Sequence, residues 1–409
     1  MKKLLGVTLG VLTAVGGFLD IGDIVTASVT GARFGMSLAW AVVLGVIGIV
    51  IFAEMAGRVA TVSHRPVFDL VRERIGARLG LANLLASYFI NFLTLAAEVA
   101  GVALALQLAS DVNYLLWVPL VAFLVWIVIW RVKFETMERV FGLAGLALVV
   151  MAVALWQLHP DWSSLWHSAS HPEVTSGEGA PTYFYYGIAL FGATLAPYEV
   201  FFFSSGAVEE RWQRSDLVLN RSNVYLGFPL GGVLTLSLMA ISAVVFAPMN
   251  ITVEHLSQAA LPTVVSVGKV GLALILIGFF AATFSAALET ALSSGYTISQ
   301  YFGWQWGKVV RPKEAARFHV IVILSLIGAA LLALTAIDPV KLTEYTVVLA
   351  AAALPLTYFP ILVVANDPDF MGDKVNSRLS NGLATVYLGI LIMVSVATIP
   401  LMIATKGGA

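Results

Sequence analysis

The chain has 409 residues, of which 59% are hydrophobic and only 11% charged, with a mean hydropathy of +0.90. A water-soluble domain needs more polar surface than this composition supplies, so the bilayer is read as the solvent. A formal net charge of −1 without basic-aromatic interleaving gives no nucleic-acid footprint, and the lack of cysteine removes disulfides, thiolate ligands and thiol nucleophiles, leaving oxygen and imidazole as metal donors.

Apolar stretches long enough to cross a hydrocarbon core, each of about 20 residues, recur along nearly the whole length. They predict spans near 6–30, 37–58, 81–108, 113–131, 139–158, 182–207, 222–248, 264–301, 318–336, 343–365 and 382–404. The expected fold is therefore an all-α integral membrane protein of about eleven helices, forming a single membrane domain over 1–409. Met1-Lys2-Lys3 leads into an apolar stretch with no cleavage pattern, so the first span is read as retained. Placing the N-terminus in the cytoplasm puts nineteen of the 23 Lys and Arg inside and only Arg33, Lys269, Lys341 and Lys406 outside, which predicts an external C-terminus. Two connections are long. The inner one, 59–80, carries Pro66 and four arginines and suggests a short interfacial helix, whereas the outer one, 159–181, holds His159, His167 and His171 with Trp162 and Trp166. The latter reads as a solvated loop with interfacial tryptophans, metal capture being the other reading.

Two spans are interrupted. Asp20-Ile21-Gly22-Asp23 breaks the first, placing two carboxylates and a glycine near the middle of an apolar segment, where an unpaired charge costs several kcal/mol. Ala196-Pro197-Tyr198-Glu199 breaks the sixth, and its proline leaves carbonyls one turn earlier without a donor. Broken helices in corresponding positions of two halves point to a binding site at the midplane between inverted repeats, here about 1–158 and 182–365, with 382–404 as an additional helix. Since the basic residues fall almost entirely in loops, an external cation is expected to neutralise the mid-span acids. Glu54, Glu98 and Glu289 are single acids on other apolar spans, read either as a cation-gathering vestibule and proton path or as protonated helix-to-helix hydrogen bonds. The runs Ala286-Ala287 and Ala350 to Ala353 suggest close helix packing.

At both breaks the sequence resembles the NRAMP family of divalent-metal transporters, whose first helix carries Asp-Pro-Gly-Asn and whose sixth carries Met-Pro-His-Asn. Gly31-Ala32-Arg33-Phe34-Gly35 with Trp40, Ala97-Glu98-Val99-Ala100-Gly101, Gly192-Ala193-Thr194, Ser204-Ser205, the stretch from Arg131 to Glu135 and Leu354-Pro355 are similar to further family segments, so the likeness covers nearly the whole chain. It implies a LeuT-like 5+5 inverted repeat with discontinuous helices 1 and 6, and a metal site at Asp20, Asp23, the Ala193 carbonyl, Ala196, Tyr198 and Glu199. Where the family has asparagine, methionine, histidine and asparagine, this chain has Asp23, Ala196, Tyr198 and Glu199. A soft thioether is lost and acids are gained, which moves selectivity toward hard cations. Of these, Mg²⁺ keeps several waters and needs only one or two carboxylates, and alanine in place of methionine makes room for water. The motifs look like the family's prokaryotic magnesium-transporting branch, implying a multi-pass protein of the cytoplasmic (inner) membrane.

Tyr198, Phe203 and Leu95 stand where the family's proton-relay residues would be, with Glu98 retained, so transport weakly coupled or uncoupled to protons is expected. The expectation is alternating access carrying partly hydrated Mg²⁺, with Glu199 acting directly or through water. No cofactor, enzyme activity or obligatory protein partner is expected beyond the metal and the bilayer. The alternatives are a proton-coupled Mn²⁺ or Fe²⁺ symporter of the same family, a channel, and an intramembrane aspartyl protease; the last lacks paired aspartates on separate spans.

Overall fold

Backbone polar groups have no water partner inside a bilayer, so spanning segments must satisfy them internally. In a computed structural model describing residues 2–174, 178–335 and 337–408, helices do this throughout, and no strand occurs among the described residues. Residue 336, the expected end of the ninth span, and residues 175–177 of the outer connection lie outside them.

The helices are α1 (Lys2–Gly17), α2 (Ile21–Phe34), α3 (Ala39–Ser63), α4 (Val67–Ile75), α5 (Ala77–Ser110), α6 (Tyr114–Arg131), α7 (Phe134–Gly145), α8 (Val149–Gln157) and α9 (Trp162–Ser170). They continue with α10 (Ala180–Thr194), α11 (Pro197–Glu209), α12 (Leu217–Ser222), α13 (Phe228–Val245), α14 (Leu256–Tyr301), α15 (Ala316–Ala333), α16 (Pro339–Ala365), α17 (Pro368–Met371) and α18 (Arg378–Ala404). Among the described residues ten stretches are long and apolar enough to cross a membrane, and the bent pair α1–α2 makes an eleventh. The expected spans are all recovered. In α14 the helix is interrupted at Gly268, whose φ of 69° suits glycine, so the spanning part begins beyond it.

The first break differs in position from the sequence expectation. The chain leaves helix after Gly17, turns by 61°, and resumes at Ile21, so Asp20 precedes the second half-helix and Asp23 lies in its first turn. The cause is capping: Asp20 is extended, with φ −118° and ψ −175°, and its carboxylate accepts the Asp23 N–H at 2.9 Å. Aspartate is a preferred N-cap because it satisfies such an otherwise orphaned donor. The second break spans Leu195 and Ala196, and Pro197 opens α11, where a missing N–H removes no helical bond.

Small residues let the half-helices approach their neighbours. A Cβ on Gly16 would lie 1.7 Å from the Gly142 carbonyl oxygen, so α1 and α7 meet backbone to backbone. The inner connection does contain a helix, α4, but Val67, Phe68, Leu70 and Val71 are buried and the helix packs on α5, α14 and α16. The outer connection, expected as a loop, forms the exposed helix α9, begun by the Asp161 carboxylate accepting the Ser163 N–H at 3.0 Å.

At the end of the bundle away from the start of α1, α2 is fastened to the segment before α10. Arg33 Nε lies 2.8 Å from Glu178 Oε1, and its Nη1 donates to Tyr186 Oη at 2.9 Å and to the Gly408 carbonyl at 3.0 Å. Tyr183 joins Ser37 and Trp40 at 3.1 Å each.

Candidate metal centre

The two breaks face each other. Tyr198, in the first turn of α11, donates its hydroxyl to Asp20 Oδ2 at 3.1 Å, and Thr194, at the end of α10, points its hydroxyl at Asp23 Oδ1 at 3.4 Å. Gly22 sits between the two aspartates; a Cβ there would lie 2.9 Å from Asp20 Oδ1, 2.9 Å from Val347 Cγ1 on α16 and 3.5 Å from Ala193 Cβ. Asp20, Asp23, Ala193 and Tyr198 thus lie together.

All of it is buried: Asp20 is 3% exposed and Asp23 1%. Asp23 Oδ2 has no hydrogen-bond partner, and among the described residues no ion pair reaches Asp20, Asp23, Glu98, Glu199 or Glu289. A buried carboxylate oxygen with neither donor nor counter-ion is costly to keep charged unless a proton or a cation joins it.

The sixth-helix break supplies oxygen as well. Within a continuous helix the Ala193 carbonyl would accept from the residue four further on, which is Pro197 and has no N–H. The neighbouring carbonyls of the break are taken up: Leu195 O accepts from Tyr358 Oη at 3.2 Å, and Ala196 O from the Glu199 N–H at 3.3 Å, while inside α11 Tyr198 O also accepts from Ser293 Oγ at 3.0 Å. Ala196 packs with Tyr198 and Ala286, so part of the space left by its small side chain is filled by these two residues.

The remaining acids take different surroundings. Glu98 of α5, fully buried, receives the Ile21 N–H on its two oxygens at 3.3 and 3.4 Å, at the N-terminus of α2. Glu199 is 9% exposed, has Oε2 without a partner, and lines a cavity together with Gly17, Phe18, Glu138 and Glu289, within electrostatic range of Asp20 and Asp23. Glu289 accepts from Ser285 Oγ at 3.0 Å in the same cavity. Glu54 stands apart: Arg58, four residues on in α3, donates to it at 3.0 Å and reaches Asn376 at 2.6 Å. It is an ion-paired structural acid, and Arg58, expected at the end of a span, is buried inside it. Among the described residues no three His, Asp or Glu side chains close on one point tightly enough to hold an ion by themselves.

Thr194, Val347, Ser293 and Glu138 were not singled out as site residues from sequence. Only Thr194 carried a signal, as part of Gly192-Ala193-Thr194; the others are brought in by tertiary packing.

Comparison with known proteins agrees with this architecture. The profile of the Nramp family, described as natural resistance-associated macrophage protein-like, matches residues 10–400. The divalent metal cation transporter MntH 1 of Pseudomonas aeruginosa is 26% identical over 400 residues, covering 93% of this chain and 88% of that protein. The divalent metal cation transporter MntH of Klebsiella pneumoniae is 22% identical over 393 residues, covering 92% and 89%. Among solved structures, a manganese transporter of Eremococcus coleocola superposes with a TM-score of 0.69 at 19% identity, covering 98% of this chain and 87% of that one. Mhp1, a nucleobase-cation-symport-1 family transporter, follows at a TM-score of 0.60 and 17% identity, covering 97% and 92%. The fold is the LeuT-like one, and with a family match over almost its entire length the chain belongs to the Nramp family of divalent-metal transporters.

Proposed function

We propose that this transporter carries Mg²⁺, partly hydrated, across a prokaryotic cytoplasmic membrane by alternating access, entering at the end fastened by Arg33 and leaving at the end that carries the start of α1. The observation that carries the reading is the donor chemistry at the breaks: two buried aspartates, one with a free oxygen, and a carbonyl whose helical donor is proline, with no sulfur and no histidine. Such a set suits a hard cation, and Mg²⁺ in particular is commonly held by one or two carboxylates with waters retained. Asp20 and Asp23 supply charge, the Ala193 carbonyl adds a further oxygen beside the retained waters, and Glu199 acts through water.

Proton coupling is weak or absent in this reading. Tyr198 and Phe203 cannot relay protons as histidines would, and Glu98 is engaged at the start of α2. The membrane potential suffices, at about 2.3 kcal/mol per charge per 100 mV, doubled for a divalent ion. The distribution of Lys and Arg supports a cytoplasmic N-terminus and an external C-terminus.

Calorimetric titration of the purified protein with Mg²⁺ and Mn²⁺ tests the site. Asp23→Asn is expected to abolish Mg²⁺ binding, and wild type should not favour Mn²⁺ strongly; unchanged Mg²⁺ binding in the variant would refute the assignment. Liposomes reporting metal influx and internal pH together test the coupling, since stoichiometric acidification would instead make the protein a proton-coupled symporter.

A further inference from the structure

A groove of about 530 Å³ opens between α3 and α13, with the start of α18 closing one end. Along α3 it runs from Val42 to Glu54, about 18 Å at the helical rise, which is close to the ~15 Å apolar depth of one leaflet. Its shaft is apolar, with Val43 and Ile47 of α3 and Val233 of α13 all exposed in it. A Cβ on Gly232 would lie 2.4 Å from Val46 Cγ2, so the two helices touch along it. The only polar residues of the described lining, Glu54, Tyr225 and Ser380, belong to the end of the bundle that carries the start of α1. Two arginines meet one acid there: Arg58 holds Glu54 at 3.0 Å, leaving Arg221 at 3.8 Å with 57% of its side chain exposed. Arg378, exposed at the start of α18 just before Ser380, forms no ion pair among the described residues. Surplus positive charge therefore stands at the mouth of an apolar shaft. A second apolar groove, of about 440 Å³ between α6 and α15, has no charged residue in its lining, so lipid-facing surface does not bring such charge with it as a rule.

We infer that this groove binds an anionic phospholipid, one acyl chain lying in the shaft and the phosphate between Arg221 and Arg378. The inference concerns the bilayer and not the ion carried, so it holds whichever divalent cation the breaks take. A long apolar slot with polarity at one end matches the two parts of a lipid molecule. Basic pockets between spanning helices recognise acidic headgroups by charge, and each arginine near the surface favours them about fivefold. Because Arg58 already satisfies Glu54, Arg221 turns to a phosphate without leaving that acid unpaired. Both arginines can lay their stems on apolar surface while their heads stay at the interface. A zwitterionic lipid fills the shaft equally well, but its quaternary ammonium brings a further positive charge toward the arginines. The bound headgroup joins α12, which carries Arg221, to α18, two elements far apart in sequence.

Native mass spectrometry of the purified full chain, mixed with phosphatidylglycerol or phosphatidylcholine of matched acyl chains, tests the site. Wild type should retain one phosphatidylglycerol with an affinity about 25-fold above that for phosphatidylcholine, and its thermal midpoint should rise accordingly. Replacing both arginines, Arg221→Gln with Arg378→Gln, should erase that preference and leave phosphatidylcholine binding as it was. Ile47→Trp fills the shaft from a position already exposed to lipid and should weaken both lipids about tenfold. Phe123→Trp, in the groove between α6 and α15, should weaken neither. Thermal midpoints unchanged in the absence of lipid show that the variants are folded. No preference in wild type, a preference that survives loss of both arginines, or sensitivity to Phe123→Trp but not to Ile47→Trp overturns the proposal. A protein that selects the anionic lipid through these arginines yet passes no Mg²⁺ would support this site while refuting the Mg²⁺ transport reading.

Discussion

The hydroxyl of Tyr198 donates to Asp20 Oδ2 at 3.1 Å, and this bond joins the two interrupted helices across the centre of the protein. Because the Tyr198 carbonyl is itself held by Ser293 at 3.0 Å, α14 steadies the tyrosine that orients the aspartate. The carboxylate of Asp20 and the position of α14 are thereby linked through one ring.

Tyr198→Phe keeps the ring and removes only the donor. A hydrogen bond of this kind contributes on the order of 1 kcal/mol, so Mg²⁺ binding measured by calorimetry should weaken about fivefold while the protein stays folded. Unchanged affinity would mean that the hydroxyl does not orient Asp20.

Gly22→Ala should be far more damaging, since the added methyl meets Asp20 Oδ1 and Val347 Cγ1, both at 2.9 Å. Overpacking of this sort costs about 1–3 kcal/mol. Adding Val347→Ala relieves the contact with α16 but not the one with the carboxylate. The double variant is expected to recover thermal stability without recovering Mg²⁺ binding, and simultaneous recovery of both would show that Asp20 simply rotates away.

The breaks were legible in sequence because carboxylates and proline are costly inside lipid and therefore conspicuous there. The apolar windows gave the spans for the same reason. Capping was read less well: Asp20 looked like part of an interruption, whereas it begins α2 by accepting the Asp23 N–H. Partners were not legible at all. Glu54 and Glu98 are both single acids on apolar spans, yet one is paired with Arg58 and the other receives a backbone N–H from α2, a difference set by the arrangement of helices far apart in sequence. Glu138 lies on the amphipathic helix α7 near Glu135 and Arg139, and nothing in that pattern reveals that it lines a cavity with Glu199 and Glu289 while the other two line a different one.

Glu98 offers a direct check on proton coupling. Its oxygens lie 3.3 and 3.4 Å from the Ile21 nitrogen at the positive end of α2, a position where negative charge is favourable. Glu98→Gln removes that charge and should lower the thermal midpoint, while Mg²⁺ influx into liposomes continues without internal acidification, as in wild type. If wild type acidified the lumen and the variant did not, Glu98 would belong to a proton path.

The natural lack of cysteine allows single-cysteine accessibility to be read without background. Ala14 lines the cavity and is half-buried, so Ala14→Cys should react with a membrane-impermeant thiol reagent applied from the side that carries the start of α1. Val29 is 4% exposed and, seven residues beyond Gly22 and four before Arg33, shares their face of α2, below the Arg33–Glu178 pair. Val29→Cys should therefore be protected from both sides. The Arg33–Glu178 pair is only partly buried, at 18% and 23% side-chain exposure, and such pairs contribute at most about 1 kcal/mol. Removing it with Glu178→Gln should accordingly raise the population open at that end about fivefold, and with it the labelling rate of Val29→Cys from the opposite side. Mg²⁺ would reverse the gain if the closed arrangement holds the ion more tightly. Rapid labelling of Val29→Cys with the pair intact would show that Arg33 and Glu178 do not close this end.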